Sequence, residues 1–226
     1  MKFIIDKAKL IQDLKKILEE KYILTSKASK YYHQKGYRYG IGEAFAIIKP
    51  GNLLEYWKVL ELCVDADFIV IMQAANTGLT GGSTPNGTDY DRPIVIVNTM
   101  RINDIHFIDE GKQIIALPGS TLFDLENKLA SIGREPHSVI GSTSIGASIV
   151  GGVCNNSGGS LIQRGPAYTE LSIYAQVNKK GKLNLINDLG IELGITPEEI
   201  LNNLQEKNYT SNQVEFPDKL ASDNEY

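Results

Sequence analysis

A chain of 226 residues with 42% hydrophobic and 22% charged residues has the make-up of an ordinary globular protein, long enough for one large domain or two small ones. A formal net charge of -4 argues against a nucleic-acid binder, which would be basic. Two cysteines, Cys63 and Cys154, make neither a disulfide framework nor a metal-ligand set; both lie among apolar residues and read as small buried hydrophobes of a reducing compartment.

The charge is uneven. Residues 1–40 hold ten Lys/Arg against four Asp/Glu, which suits either an anionic membrane surface or a solvated face, the second being commoner. The amino terminus has no signal-peptide pattern, and no apolar run approaches the roughly 20 residues that span a bilayer. Residues 8–20, "AKLIQDLKKILEE", place Leu10, Ile11, Leu14, Ile17 and Leu18 on one helical face, best packed against the chain's own core. "SKYYHQKGYRYGIG" has four tyrosines and no period, and reads as an ordered, irregular connector.

From Ala44 the pattern changes. "AFAIIKP" reads as a strand, "NLLEYWKVLELCVDAD" as a helix facing a sheet, and "FIVIMQ" as a second strand, a crossover unit that favours parallel pairing. "IVIVNT", "IHFI" and "QIIALPG" are three more short strands, with "DEGK" as a hairpin turn between the last two. "STLFDLENKLASIG" is a helix with Ser120 or Thr121 as its cap and Gly133 beyond its end. "ELSIYAQVNKKGKLNLIN" reads as a hairpin turning at residues 178–181, and "TPEEILNNLQEK" as a last helix before a polar tail. The expected organisation is an amino-terminal helix and connector over 1–43, a first subdomain over 44–100, a second over 101–207 and a tail over 208–226.

Two segments, about 74–87 and 141–160, concentrate Gly, Ala, Ser, Thr and Asn. The first, "AANTGLTGGSTPNG", follows the carboxyl end of a predicted strand, where open α/β sheets bind ligands. Consecutive backbone N–H groups in such a turn form a concavity for anionic oxygens, and the hydroxyls of Thr77, Ser83 or Ser148 would add donors. Tight packing of small residues is the plainer alternative; two such segments favour a phosphate or pyrophosphate cradle. Neither the ATPase pattern G-x-x-x-x-G-K-[ST] nor the dinucleotide fingerprint G-x-G-x-x-G is present. Without a lysine to meet a triphosphate, a cradle of neutral backbone suits a diphosphate diester better than ATP.

"MQAANTGLTGGS" together with "REPHSVIGSTSIGASIVGGVCNNSGGSLIQRGPAYTE" resembles the respiratory, quinone-linked D-lactate dehydrogenases of bacteria, members of the vanillyl-alcohol-oxidase-type flavoproteins. The resemblance runs from about Ala44 to near residue 205. It implies an α+β, PCMH-type FAD-binding fold, with a small parallel α/β subdomain followed by an antiparallel sheet flanked by helices, its carboxyl-terminal part incomplete. It also implies that Ala74, Ala75, Asn76, Thr77, Gly78, Gly82 and Ser83 wrap the FAD pyrophosphate from one side and that Gly141 and Ser148 meet it from the other. Gly158 would let the chain pass close to the flavin.

The first segment holds neither His nor Cys, so the expected FAD is non-covalent; Cys154 reads as buried packing and His137 as a turn residue. In the family a D-2-hydroxy acid gives hydride to the flavin, and the electrons pass to a membrane quinone at the cytoplasmic face of the inner membrane. Substrate and membrane contacts belong to regions beyond this chain, which is less than half of a typical member. The alternatives are a non-catalytic nucleotide-binding remnant or the FAD domain of another 2-hydroxy-acid oxidase.

Overall fold

The computed structural model describes residues 6–136, 142–157, 169 and 171–210. These fall into two compact units, the first ending at Arg101 and including the hairpin tip Gln176–Asn184, the second holding the remainder.

The first unit begins with α1 (Lys7–Leu14), capped by the Asp6 carboxylate accepting from the Lys9 N–H. The periodicity predicts a longer helix. The regular helix ends at Leu14, but a 2.9 Å bond from Leu18 N to Leu14 O keeps the next turn compact enough to bury Leu18. The short strand β1 (Ile23–Leu24) and the single helical turn α2 (Lys27–Lys30) follow. The Lys30 ammonium donates to the carbonyls of Ala44 and Phe45 just before β2 (Ala46–Ile48), and burial lowers its pKa. The helix α3 (Leu53–Asp65) starts where Asn52 accepts from the Glu55 N–H. It leads to β3 (Ile69–Gln73), and after the glycine-rich segment to β4 (Ile94–Asn98).

The four strands form one sheet in the order β1-β2-β4-β3, with β1 antiparallel and the others parallel. The expected crossover is therefore parallel, but β4 inserts between its two strands. All five residues of β4 are buried, which explains the near-continuous apolar run "IVIVN". Alternation divides them between faces. Val95 and Val97 join Leu10, Leu14, Leu18, Val59, Leu60 and Cys63 in the larger core, while Ile94 and Ile96 pack with Ala44 and Ile47 on the other face.

In the second unit β5 (Ile105–Ile108) and β6 (Gln113–Ala116) pair antiparallel. Their connection runs through Asp109, Glu110 and Gly111 at positive φ. The helix α4 (Leu122–Ala130) takes Thr121 as its cap and buries Leu122, Leu125 and Leu129 against Ile105 and Ala147. The short α5 (Ile149–Cys154) follows. A hairpin of β7 (Ser172–Val177) and β8 (Leu183–Asp188) turns where Gly181 N donates to Asn178 O. The last helix, α6 (Pro197–Gln205), has a reciprocal cap: Thr196 Oγ1 accepts from Glu199 N, and the Glu199 carboxylate accepts from Thr196 N.

His106 on β5 is buried, with Nδ1 2.5 Å from the Tyr209 hydroxyl and Nε2 3.5 Å from Asp104 Oδ2 without a hydrogen bond. Burial, reinforced by the positive charge of Lys207 and by Lys128 and opposed by Asp104, lowers its pKa from 6.5. The unfolded chain then binds the proton more readily than the folded one. His106 should leave stability intact above pH 6.5 and reduce it as pH falls from there through the lowered folded value. Urea unfolding at pH 7 and pH 5.5 should show a loss in the parent that is smaller in His106→Gln; equal losses would contradict this assignment.

Candidate functional site

The sheet's apolar strands β3 and β4 end side by side in two polar residues, Gln73 and Asn98, which are direct partners in the parallel register. Both are buried, so their amides must find protein partners. Gln73 Oε1 accepts from His33 Nδ1 at 2.7 Å and Asn98 Nδ2 at 3.2 Å. Gln73 Nε2 donates to the carbonyls of His33 and Ser83, both at 2.9 Å. Two donors and two acceptor sites are thereby filled, the full capacity of the amide. Because Oε1 can only accept, the proton of a neutral His33 sits on Nδ1.

The glycine-rich segment leaves β3 under these constraints. Asn98 Nδ2 also takes the Ala74 carbonyl at 3.0 Å. Asn76, at φ 56, donates from Nδ2 to Lys35 O at 2.8 Å and accepts from the Ser83 hydroxyl at 2.8 Å. Further on, Gly87 N donates to Ile41 O at 2.8 Å. Residues 33–42, expected only as an irregular connector, thus strap the end of β3 and the segment, with His33 bonded to Gln73, Lys35 to Asn76 and Ile41 to Gly87. The contact is close. A Cβ on Gly81, at φ 82, would stand 2.7 Å from the Tyr39 ring, and one on Gly40, at φ 91, would stand 2.6 Å from the buried Thr84 hydroxyl. These glycines are fixed by packing and backbone together.

Gly78 and Gly82 differ. An added Cβ at either meets nothing within 4 Å. Both are exposed, as are Leu79 and Thr80 between them. Among the described residues, no acceptor engages the main-chain N–H groups of residues 75–82. Meanwhile the carbonyls of Ala74 and Ser83 are taken by side-chain amides. The segment therefore offers a braced run of N–H donors with open approach, the arrangement that receives anionic oxygens. These residues fit a diphosphate.

The second segment is described from Ser142 to Ser157. Gly146, at φ 87, ends the short turn Thr143–Ile145. Ser148 is buried and caps α5, its Oγ accepting from Gly151 N at 3.1 Å. Bonds from Leu122 N to Ala147 O and from Ile149 N to Ser120 O, both 2.9 Å, tie it to the start of α4. Gly141, Gly158 and His137 lie outside the described residues. Sequence reading passed over Gln73, Asn98 and His33. The available signal was that two adjacent apolar strands, "FIVIMQ" and "IVIVN", each end in a side-chain amide.

A family model described as FAD binding domain matches residues 44–183. The chain belongs to this family, with the PCMH-type α+β fold, and its cofactor is FAD. The quinone-dependent D-lactate dehydrogenase of Haemophilus influenzae is 60% identical over 200 residues, covering 88% of this chain and 36% of that protein. That of Escherichia coli is 52% identical over 221 residues, covering 98% and 39%. The chain therefore spans a little over a third of the length of the curated relatives it matches. A solved alkyldihydroxyacetonephosphate synthase shares the fold at TM-score 0.66 and 15% identity, over 86% of this chain and 37% of that one.

The cysteines do not behave alike. Cys63 is fully buried, and burial pushes its thiol up to about 12. Cys154, expected to be packed inside, is exposed at the end of α5. The helix is only six residues long, and it packs against the core at its start, through Ile149, while Cys154 is its last residue. An Ellman titration of the native chain at pH 8 should therefore release one thiol quickly, and the second only in denaturant. Rapid release of both, or of neither, would contradict the placement.

Proposed function

We propose that this chain is the FAD-binding portion of an oxidoreductase that oxidises D-lactate to pyruvate and delivers the electrons to quinone. The observation that carries the reading is the braced run of N–H groups over residues 75–82, which have no acceptor among the described residues, in a chain of the FAD binding domain family. The relatives named quinone-dependent D-lactate dehydrogenase, at 60% and 52% identity, supply the substrate and acceptor classes.

In this reading the main chain of Ala74, Ala75, Asn76, Thr77, Gly78 and Gly82, with Ser83, holds the diphosphate. The Ser83 hydroxyl proton is spent on Asn76 Oδ1, so both residues hold the diphosphate through their main-chain N–H groups and not through the hydroxyl. Ser148, with Gly141 and Gly158, contributes from the second segment. Bound FAD supplies the two-electron acceptor for the hydride of a D-2-hydroxy acid. Attachment is non-covalent, since the first segment contains neither His nor Cys. Among the described residues no helix is long and apolar enough to cross a membrane. The whole enzyme would meet the cytoplasmic face of the inner membrane peripherally, through regions beyond this chain.

The share of the relatives that is matched favours a second reading for the chain by itself, a module that binds FAD without turnover. The purified chain should be yellow, and acid precipitation should release its flavin into the supernatant. Flavin retained in the pellet would overturn non-covalent attachment, and failure to take up added FAD would overturn the reading. Dye reduction driven by D-lactate in the isolated chain would exclude the module.

A further inference from the structure

We propose that Gln73 is the positioning residue of the FAD site: its side-chain amide presets the 74–87 segment in the conformation that receives the diphosphate. The inference rests on the reading that this segment binds FAD. Gln73 is only 2% exposed and lies at the end of β3, below the segment. Its four hydrogen bonds reach three separate stretches of chain: His33 in the strap, Asn98 at the end of β4, and Ser83 at the far end of the segment. With its donors and acceptor sites filled, the amide has nothing left to offer a ligand, so any effect on the cofactor passes through the backbone it holds.

That effect has a direction. Gln73 Nε2 takes the Ser83 carbonyl, and Asn98, oriented by Gln73 Oε1, takes the Ala74 carbonyl. The carbonyls bounding residues 75–82 are thus engaged, while the N–H groups between them have no acceptor among the described residues. The amide thereby biases the segment toward donating. Removing it would free the Ser83 carbonyl, unlock Asn98 and detach His33 from the end of β3. The N–H groups would then have to be ordered during binding, at a cost in affinity.

The test uses the full chain in its FAD-free form, titrated with FAD and followed by quenching of flavin fluorescence. Gln73→Met keeps the length of the side chain and removes all four bonds. The control is Leu14→Ala, which loosens the same buried core from α1. Gln73→Met should weaken FAD binding by at least 10-fold and speed proteolytic cleavage within residues 74–87, read by mass spectrometry. Leu14→Ala should lower the melting temperature at least as much yet keep the FAD dissociation constant within 3-fold of the parent. A parent chain that quenches no flavin would overturn the FAD reading and this inference together. A parent that binds while Gln73→Met binds within 3-fold, or while both variants weaken alike, would overturn the inference alone.

Discussion

Four hydrogen bonds converge on the Gln73 side chain, and the shape of the glycine-rich segment depends on them. A buried amide left unpaired costs about 1–3 kcal/mol for each orphaned group, whereas each made bond contributes only about 1 kcal/mol net. The network is therefore close to all-or-none: with one partner lost, the remainder have reason to rearrange. Such a device suits a segment with glycines at Gly78, Gly81, Gly82 and Gly87, whose own backbone preferences specify little.

The rest of the first unit supports that one residue. Strands β3 and β4 are held in parallel register by apolar cores on both faces, so Gln73 and Asn98 arrive side by side. The helix α3 supplies Val59, Leu60 and Cys63 to the interior on one face of the sheet. Above it, the strap of residues 33–42 offers carbonyls at His33, Lys35 and Ile41 to partners on β3 and the segment. Ligands of open α/β sheets meet the protein at the carboxyl ends of strands because loops there can be varied without disturbing the core. Here the apolar interior stops at Gln73 and Asn98, and the donor-rich backbone begins two residues after Gln73.

Much of this is legible in the sequence. Short apolar runs and a helical pattern locate β2, α3, β3 and β4, and the glycine-rich run at the end of β3 marks where a ligand would approach. What the pattern leaves out is long-range. Nothing local shows that β4 lies between β2 and β3, because that order is decided by which strand can be buried on both faces. The strap was illegible for a similar reason: its tyrosines and lysines have no period, and its order comes from bonds to residues some 40 positions away. Cys154 misled because an apolar neighbourhood in sequence is not burial in space. The braces are polar side chains at strand ends, a place where solvent usually makes such residues unremarkable.

If FAD is gripped by the main-chain N–H groups of residues 75–82, those amides report its binding. Hydrogen–deuterium exchange of the chain with and without FAD measures those groups directly. Residues 75–82 should exchange slowly when FAD is bound and fast in its absence, since no acceptor engages them among the described residues. Binding of FAD that left these amides exchanging at the free rate would contradict that grip.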